Sequence, residues 1–133
     1  MNPDIPGLEA CKRLAKAGWT VATFFRYEKE IEEIGEWRLR QAAGRWRPAY
    51  AYVVVDAPTI GEMLAEIRRR GWQVSLSTVG YGSAENRFKA TVWRLDKGEC
   101  ARRRIILGHA VADEPADALA LALAEAMEKE GKA

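Results

Sequence analysis

Cysteine, histidine and long apolar runs are what this chain has least of. Its cysteines are Cys11 and Cys100, and neither belongs to a C-x-x-C pair. That spacing excludes a zinc knuckle and a dithiol redox centre, and it fits free thiols in the reducing cytoplasm of a host cell. The lone histidine, His109, has no second imidazole to share a metal and lies in an apolar run, so it reads as a core or edge residue rather than a base. No stretch reaches the about 18 apolar residues of a membrane span. Met1 to Asp4 lacks the basic segment and apolar run of an export signal, so none is expected.

Other chemical signatures are missing too. Gly80-x-Gly82 lacks the third glycine of a dinucleotide fingerprint and joins two strand-like segments instead of a strand and a helix. Ser75, Ser77 and Ser83 have no nucleophile-elbow context. The carboxylates from Glu28 to Glu33 read as an exposed acidic run and not an acid–base pair. No catalytic constellation is visible, so neither an enzyme nor a bound cofactor or metal is expected.

What the chain does have is enough apolar material for one domain. It has 133 residues, of which 48% are hydrophobic and 30% charged. The net charge is only +2, but it is unevenly spread. Residues 1–34 carry five basic and six acidic groups, residues 35–104 fourteen and seven, and residues 105–133 two and six. A basic middle between acidic ends suggests a positively charged surface able to attract anions. The alternative is a set of solvated arginines paired locally with the acidic ends.

The pattern organises around Pro58 to Val79. Ile60, Met63, Leu64 and Ile67 form a helical stripe. Thr59 with Glu62 fits a capping box at its start, and Gly71 a left-handed stop at its end. Beyond the glycine the period becomes two, with Trp72, Val74, Leu76 and Thr78 on one side. Before this unit, Pro6 and Gly18 bracket a first helix whose stripe is Leu8, Cys11, Leu14 and Ala15, with Pro6 at its first position. Cys11 there reads as a small core residue. Residues 19–34 fit a strand from Trp19 to Tyr27 and a helical stripe equally well, and period does not decide between them. Ala49 to Val55 reads as a buried strand. Arg87 to Leu95, with Phe88, Ala90 and Val92 on one face, and Arg103 to Val111 read as two more strands after the one ending at Val79. A last helix runs from Pro115 to Gly131, alanine-rich and apolar over a wide surface. The expected fold is α+β: one antiparallel sheet of about four to five strands with helices packed on it.

The stretches that carry binding chemistry mix arginine with aromatics: Trp37 to Arg47, Arg68 to Arg70 and Arg102 to Arg104. Guanidinium forks bind phosphates bidentately and tryptophan stacks on bases. The other reading makes the tryptophans core anchors, with the arginines folded around them. Arg45, Trp46 and Arg47, with Arg69 and Arg103, are the candidate ligand-binding residues. Pro48 pushes Arg47 toward an extended backbone, which sends Trp46 to the side opposite Arg45 and Arg47.

Trp46-Arg47-Pro48-Ala49-Tyr50, Met63 to Val79 and Pro115 to Met127 together resemble the phage ABA-sandwich domain family of small phage and prophage proteins. The likeness spans the last two thirds of the chain, and the longer segment between Gly18 and Trp46 departs from it. It implies an α/β sandwich of phage origin and no known reaction. The expectation is a non-enzymatic accessory protein that acts by binding. It would antagonise a host defence by sequestering a nucleotide signal or by blocking a protein. Two alternatives are a homo-oligomer formed through Ala118, Leu119, Ala122, Leu123 and Ala126 of the last helix, and a nucleic-acid-binding protein using the basic middle.

Overall fold

The computed structural model describes residues 3–30, 36–41, 52–79, 87–96 and 103–131. Within them the order is α1 (Leu8–Lys16), β1 (Phe25–Glu30), β2 (Arg38–Gln41), β3 (Tyr52–Ala57), α2 (Ile60–Arg69), β4 (Gln73–Val79), β5 (Arg87–Asp96), β6 (Arg103–Ala112) and α3 (Pro115–Gly131). No described helix is long and apolar enough to cross a membrane.

Local chemistry sets the helix ends. The Thr59 hydroxyl accepts from the Glu62 amide at 3.1 Å, and the Glu62 carboxylate accepts from the Thr59 amide at 2.9 Å. This is the capping box expected from the sequence, a feature whose N-cap contributes about 1 kcal/mol. Gly71 stops α2 at φ +76° and Gly18 follows α1 at φ +110°, backbone shapes that penalise any side chain. Pro6 is not at the first position of α1. Gly7 is the N-cap, and the Pro6 carbonyl instead accepts from the Tyr27 hydroxyl at 2.8 Å. Within residues 19–30 the conflict resolves as a strand, Phe25–Glu30, while Trp19 is buried in an irregular segment and its indole donates to the Val21 carbonyl at 2.8 Å; residues 31–34 lie outside the described residues.

The buried face of α2 is rotated from the one the apolar spacing suggests. Leu64 is exposed, whereas Glu66 is buried beside Met63 and Ile67. A carboxylate sits there because Arg69 and Arg70 neutralise it, Arg70 at 2.8 Å. Hydrogen bonding from Arg69, and secondarily Arg70, holds the Glu66 carboxyl below its usual value despite the opposing effect of burial. The sign follows from that depression: the stabilisation is complete above the ordinary glutamate value of about 4.3 and is lost as pH falls through the lower folded value. Glu66→Gln is therefore expected to shallow the fall of melting temperature with acidification below about pH 4.3. Parallel curves for the two proteins would refute that role.

The expected single sheet is in fact two three-stranded antiparallel sheets, ordered β2–β1–β3 and β4–β5–β6. In the first, Phe25 pairs with both Gln41 and Ala57; in the second, Val92 pairs with Val74 and Gly108. The sheets separate because β3 packs on α1, β5 and β6 pack on α3, and α1 packs on α3, which leaves a helical layer between them. Helix α1 serves two cores: Ala10 and Leu14 join the main one, while Cys11 meets Ile5 and Ala57 under the first sheet.

The first sheet also overturns the reading of Glu28 as exposed. Glu28 is only 4% accessible, with Arg26 at 3.4 Å and Arg40 at 3.8 Å. Arg26 sits two residues away on the same face, and pairing with β2 brings Arg40 opposite Arg26. Glu32 and Glu33 lie outside the described residues.

Helix α3 is apolar over most of its circumference, and the side carrying Asp117, Leu121, Glu125 and Glu128 stays partly accessible. Leu119 and Leu123 are fully buried, and so are Ala118, Ala122 and Ala126. The surface that suggested an oligomer contact is thus covered by the chain's own β5, β6, α1 and α2. Closest approach is at Gly108, where an added Cβ would fall 1.9 Å from the Ala122 carbonyl oxygen and 3.0 Å from the Ala126 nitrogen. Helix α3 also shields the free edge of β6: Lys129 donates to the Ile106 carbonyl at 3.2 Å, and the Glu125 carboxylate accepts from the His109 amide at 3.4 Å.

Candidate functional site

Antiparallel pairing gathers arginine and tryptophan at one end of the second sheet. The end of α2 passes through Gly71 and Trp72 into Gln73, which pairs with Trp93, and Asp96 pairs with Arg103. Arg69 and Arg103, both exposed, therefore share this end with Arg68, Arg70, Arg94 and Arg104. Two guanidinium groups lie over indole rings, Arg104 over Trp93 at 4.8 Å and Arg70 over Trp72 at 5.2 Å. Three carboxylates accompany them: Glu66 is bound by Arg69 and Arg70, Glu130 is met by Arg94 at 3.2 Å, and Asp96 stands opposite Arg103. Among the described residues basic groups are in excess here.

Only the inner face of this sheet carries the core. Ala90 and Val92 are fully buried against α3. A register irregularity at Val92/Trp93 sets Trp93 opposite Ile106 and buries both Leu107 and Gly108. The outward set on β5 is Lys89, Thr91, Trp93 and Leu95, flanked by Gln73, Ser75 and Ser77 of β4 and by Arg104, Ile106, His109 and Val111 of β6. Leu95 and Ile106 are 46% and 45% exposed, so this face is open. Its outward positions include no aspartate or glutamate.

The opposite end of β6 has the reverse charge. Pro3, Ile5, Gly7, Tyr27, Leu39, Glu114 and Asp117 line a cavity of about 210 Å³. Asp117 accepts from the Gly7 amide at 2.6 Å and ties the start of α3 to the start of α1. Carboxylates in an apolar wall repel anions. Cys11 lies close by and is fully buried, its thiol pushed up to about 12 by burial first and then by Asp117 and Asp56. At about pH 8 that leaves a thiolate fraction on the order of one in ten thousand, which makes a nucleophilic role untenable. In a Cys100→Ser protein, Ellman's reagent is expected to find no reactive thiol until urea unfolds the chain. Prompt reaction in native buffer would contradict this burial.

Of the residues expected to bind a ligand, Arg69 and Arg103 come to the same end of the sheet, whereas Arg45, Trp46 and Arg47 lie outside the described residues. Trp93 was absent from that set. Its signal was nonetheless present: once Phe88, Ala90 and Val92 face the core, Lys89, Thr91 and Trp93 must face away. Among the described residues no three or more His, Cys, Asp or Glu side chains converge as metal ligands would.

No family model, curated protein or solved structure matches the chain.

Proposed function

We propose that this chain is a phage-type accessory protein that binds an anionic, nucleotide-like partner stoichiometrically and does not turn it over. The observation that carries the reading is the arginine–tryptophan end of β4–β5–β6, where Arg104 stacks on Trp93 and exposed Arg69 and Arg103 share the same end of the sheet. Guanidinium forks suit phosphate oxygens, and an indole beside a guanidinium suits a base. The phage character rests on the resemblance carried by Trp46 to Tyr50, Met63 to Val79 and Pro115 to Met127. By that resemblance, the biological effect is antagonism of a host defence through sequestering a nucleotide signal or blocking a protein.

Native mass spectrometry of freshly purified protein, followed by calorimetric titration with ATP and a cyclic dinucleotide, tests the reading. A bound anion and recovery of unaltered nucleotide are expected. Losing one charge-assisted contact costs about 1.5–3 kcal/mol of binding, so Arg104→Ala and Arg47→Ala should each weaken affinity at least tenfold. Folding should change by no more than about 0.5 kcal/mol. Trp46→Ala, by contrast, is expected to lower stability. Turnover of the nucleotide, or wild-type affinity in both arginine variants, would defeat the proposal.

A further inference from the structure

We infer that the open face of β4–β5–β6 is a binding platform for single-stranded nucleic acid, an inference that rests on the anion-binding reading of the same sheet and names its ligand class. The shape of the site favours a strand over a free mononucleotide. Small ligands are held in concave sites that bury most of their surface. The cavity of about 210 Å³ beside Tyr27 is lined by Glu114 and Asp117, and the wider cleft of about 650 Å³ beside Arg13 and Arg87 includes Glu9, Asp113 and Asp117. Phosphate is disfavoured in both. The face around Trp93 is open and carries no carboxylate at its described outward positions.

Its chemistry matches a flexible polyanion that carries bases. Trp93 is half-buried at the middle of the face, with the Arg104 guanidinium 4.8 Å from its ring, so a base can stack on indole or guanidinium. Lys89 stands four residues along β5 from Trp93, about 13 Å at strand rise, on the same side. One cation thus lies at the stacking position and the other further along β5, so both can meet the backbone of an extended polyanion. Ser75, Thr91 and Gln73 lie between or beside them and offer hydrogen bonds to base edges and sugars. Among the described residues a carboxylate adjoining this face, Asp113, follows the end of β6 and is met by Arg87 at 3.3 Å. A three-stranded surface of this extent takes about two or three stacked bases.

Fluorescence anisotropy with labelled ten-nucleotide oligo(U) and oligo(dT), a labelled duplex and ATP tests the assignment. Binding of at least one single strand in preference to the duplex is expected. Trp93→Ala should weaken it about 5- to 150-fold, the range for loss of one base stack. Lys89→Gln combined with Arg104→Gln should reduce the slope of log affinity against log salt by about 1.4, because each phosphate contact on a single strand contributes about 0.7. Circular dichroism establishes that each variant is folded. Should Trp93→Ala fail to fold, the doubly substituted protein decides the matter alone. Wild-type binding and salt slope in the folded variants would overturn the assignment of this face. Absence of oligonucleotide binding at low salt, with ATP still bound, would overturn the platform and leave the anion-binding proposal standing. Absence of both would remove both.

Discussion

Gly108→Ala is expected to be the most damaging single-methyl change among the described residues of this protein. The new Cβ would lie 1.9 Å from the carbonyl oxygen of Ala122 and 2.9 Å from its carbonyl carbon. Those are backbone atoms in the middle of a helix, so no rotamer change relieves the clash. Relief requires α3 to move off β6, which would loosen Leu119 and Leu123, both fully buried. Overpacking a rigid core costs about 1–3 kcal/mol, occasionally more, and this contact belongs at or above the top of that range. Gly108→Val should not yield folded protein. The check is a pair of thermal melts by circular dichroism: a Gly108→Ala midpoint within about 3 °C of wild type, equivalent to less than about 1 kcal/mol, would show that α3 does not sit where the structure puts it.

Leu123→Ala is expected to cost about 2–5 kcal/mol, the range for truncating a buried leucine whose surroundings cannot collapse. The neighbours make collapse difficult. Ala120, Ala122, Ala124 and Ala126 are already small, and each is fully buried against another element. The helix is enclosed by a sheet on one side and by α1 and α2 on the other. Ile106→Ala serves as the control, because Ile106 is 45% exposed on the open face of the same sheet and should change stability by about 0.5 kcal/mol or less. Urea titration separates the two. Equal losses for Leu123→Ala and Ile106→Ala would mean that the open face is itself covered, and the platform inference would fail with it.

Features governed by nearest neighbours were legible in the chain. The Thr59–Glu62 capping box, the left-handed Gly18 and Gly71, and the limits of α3 at Pro115 and Gly131 all appear where the residue types demand them. These rest on hydrogen bonds and steric rules that span a few residues. The inward set Phe88, Ala90 and Val92 was legible for the same reason, since alternation is a property of the extended backbone. Glu28 and Glu66 were not, because a carboxylate is hydrophilic in any local pattern and its burial depends on which arginines the fold delivers to it. For Glu66 the partners are one helical turn away, but only the placement of α2 against α3 turns that face inward.

The candidate site divides along the same line. Arginine and tryptophan types were visible as local clusters, and Arg69 and Arg103 were singled out from them. That these two share one end of a sheet with the Trp93–Arg104 stack follows from strand pairing across long sequence separations. By itself the sequence determined an α+β chain, the capping box of α2, the glycine stops of α1 and α2, the inward face of β5 and a basic middle. The tertiary structure decided that the strands form two sheets and not one, because α1 and α3 insert between them. It also decided that the wide apolar surface of α3 is spent inside the chain, because β6 offers a glycine where the helix backbone must come close.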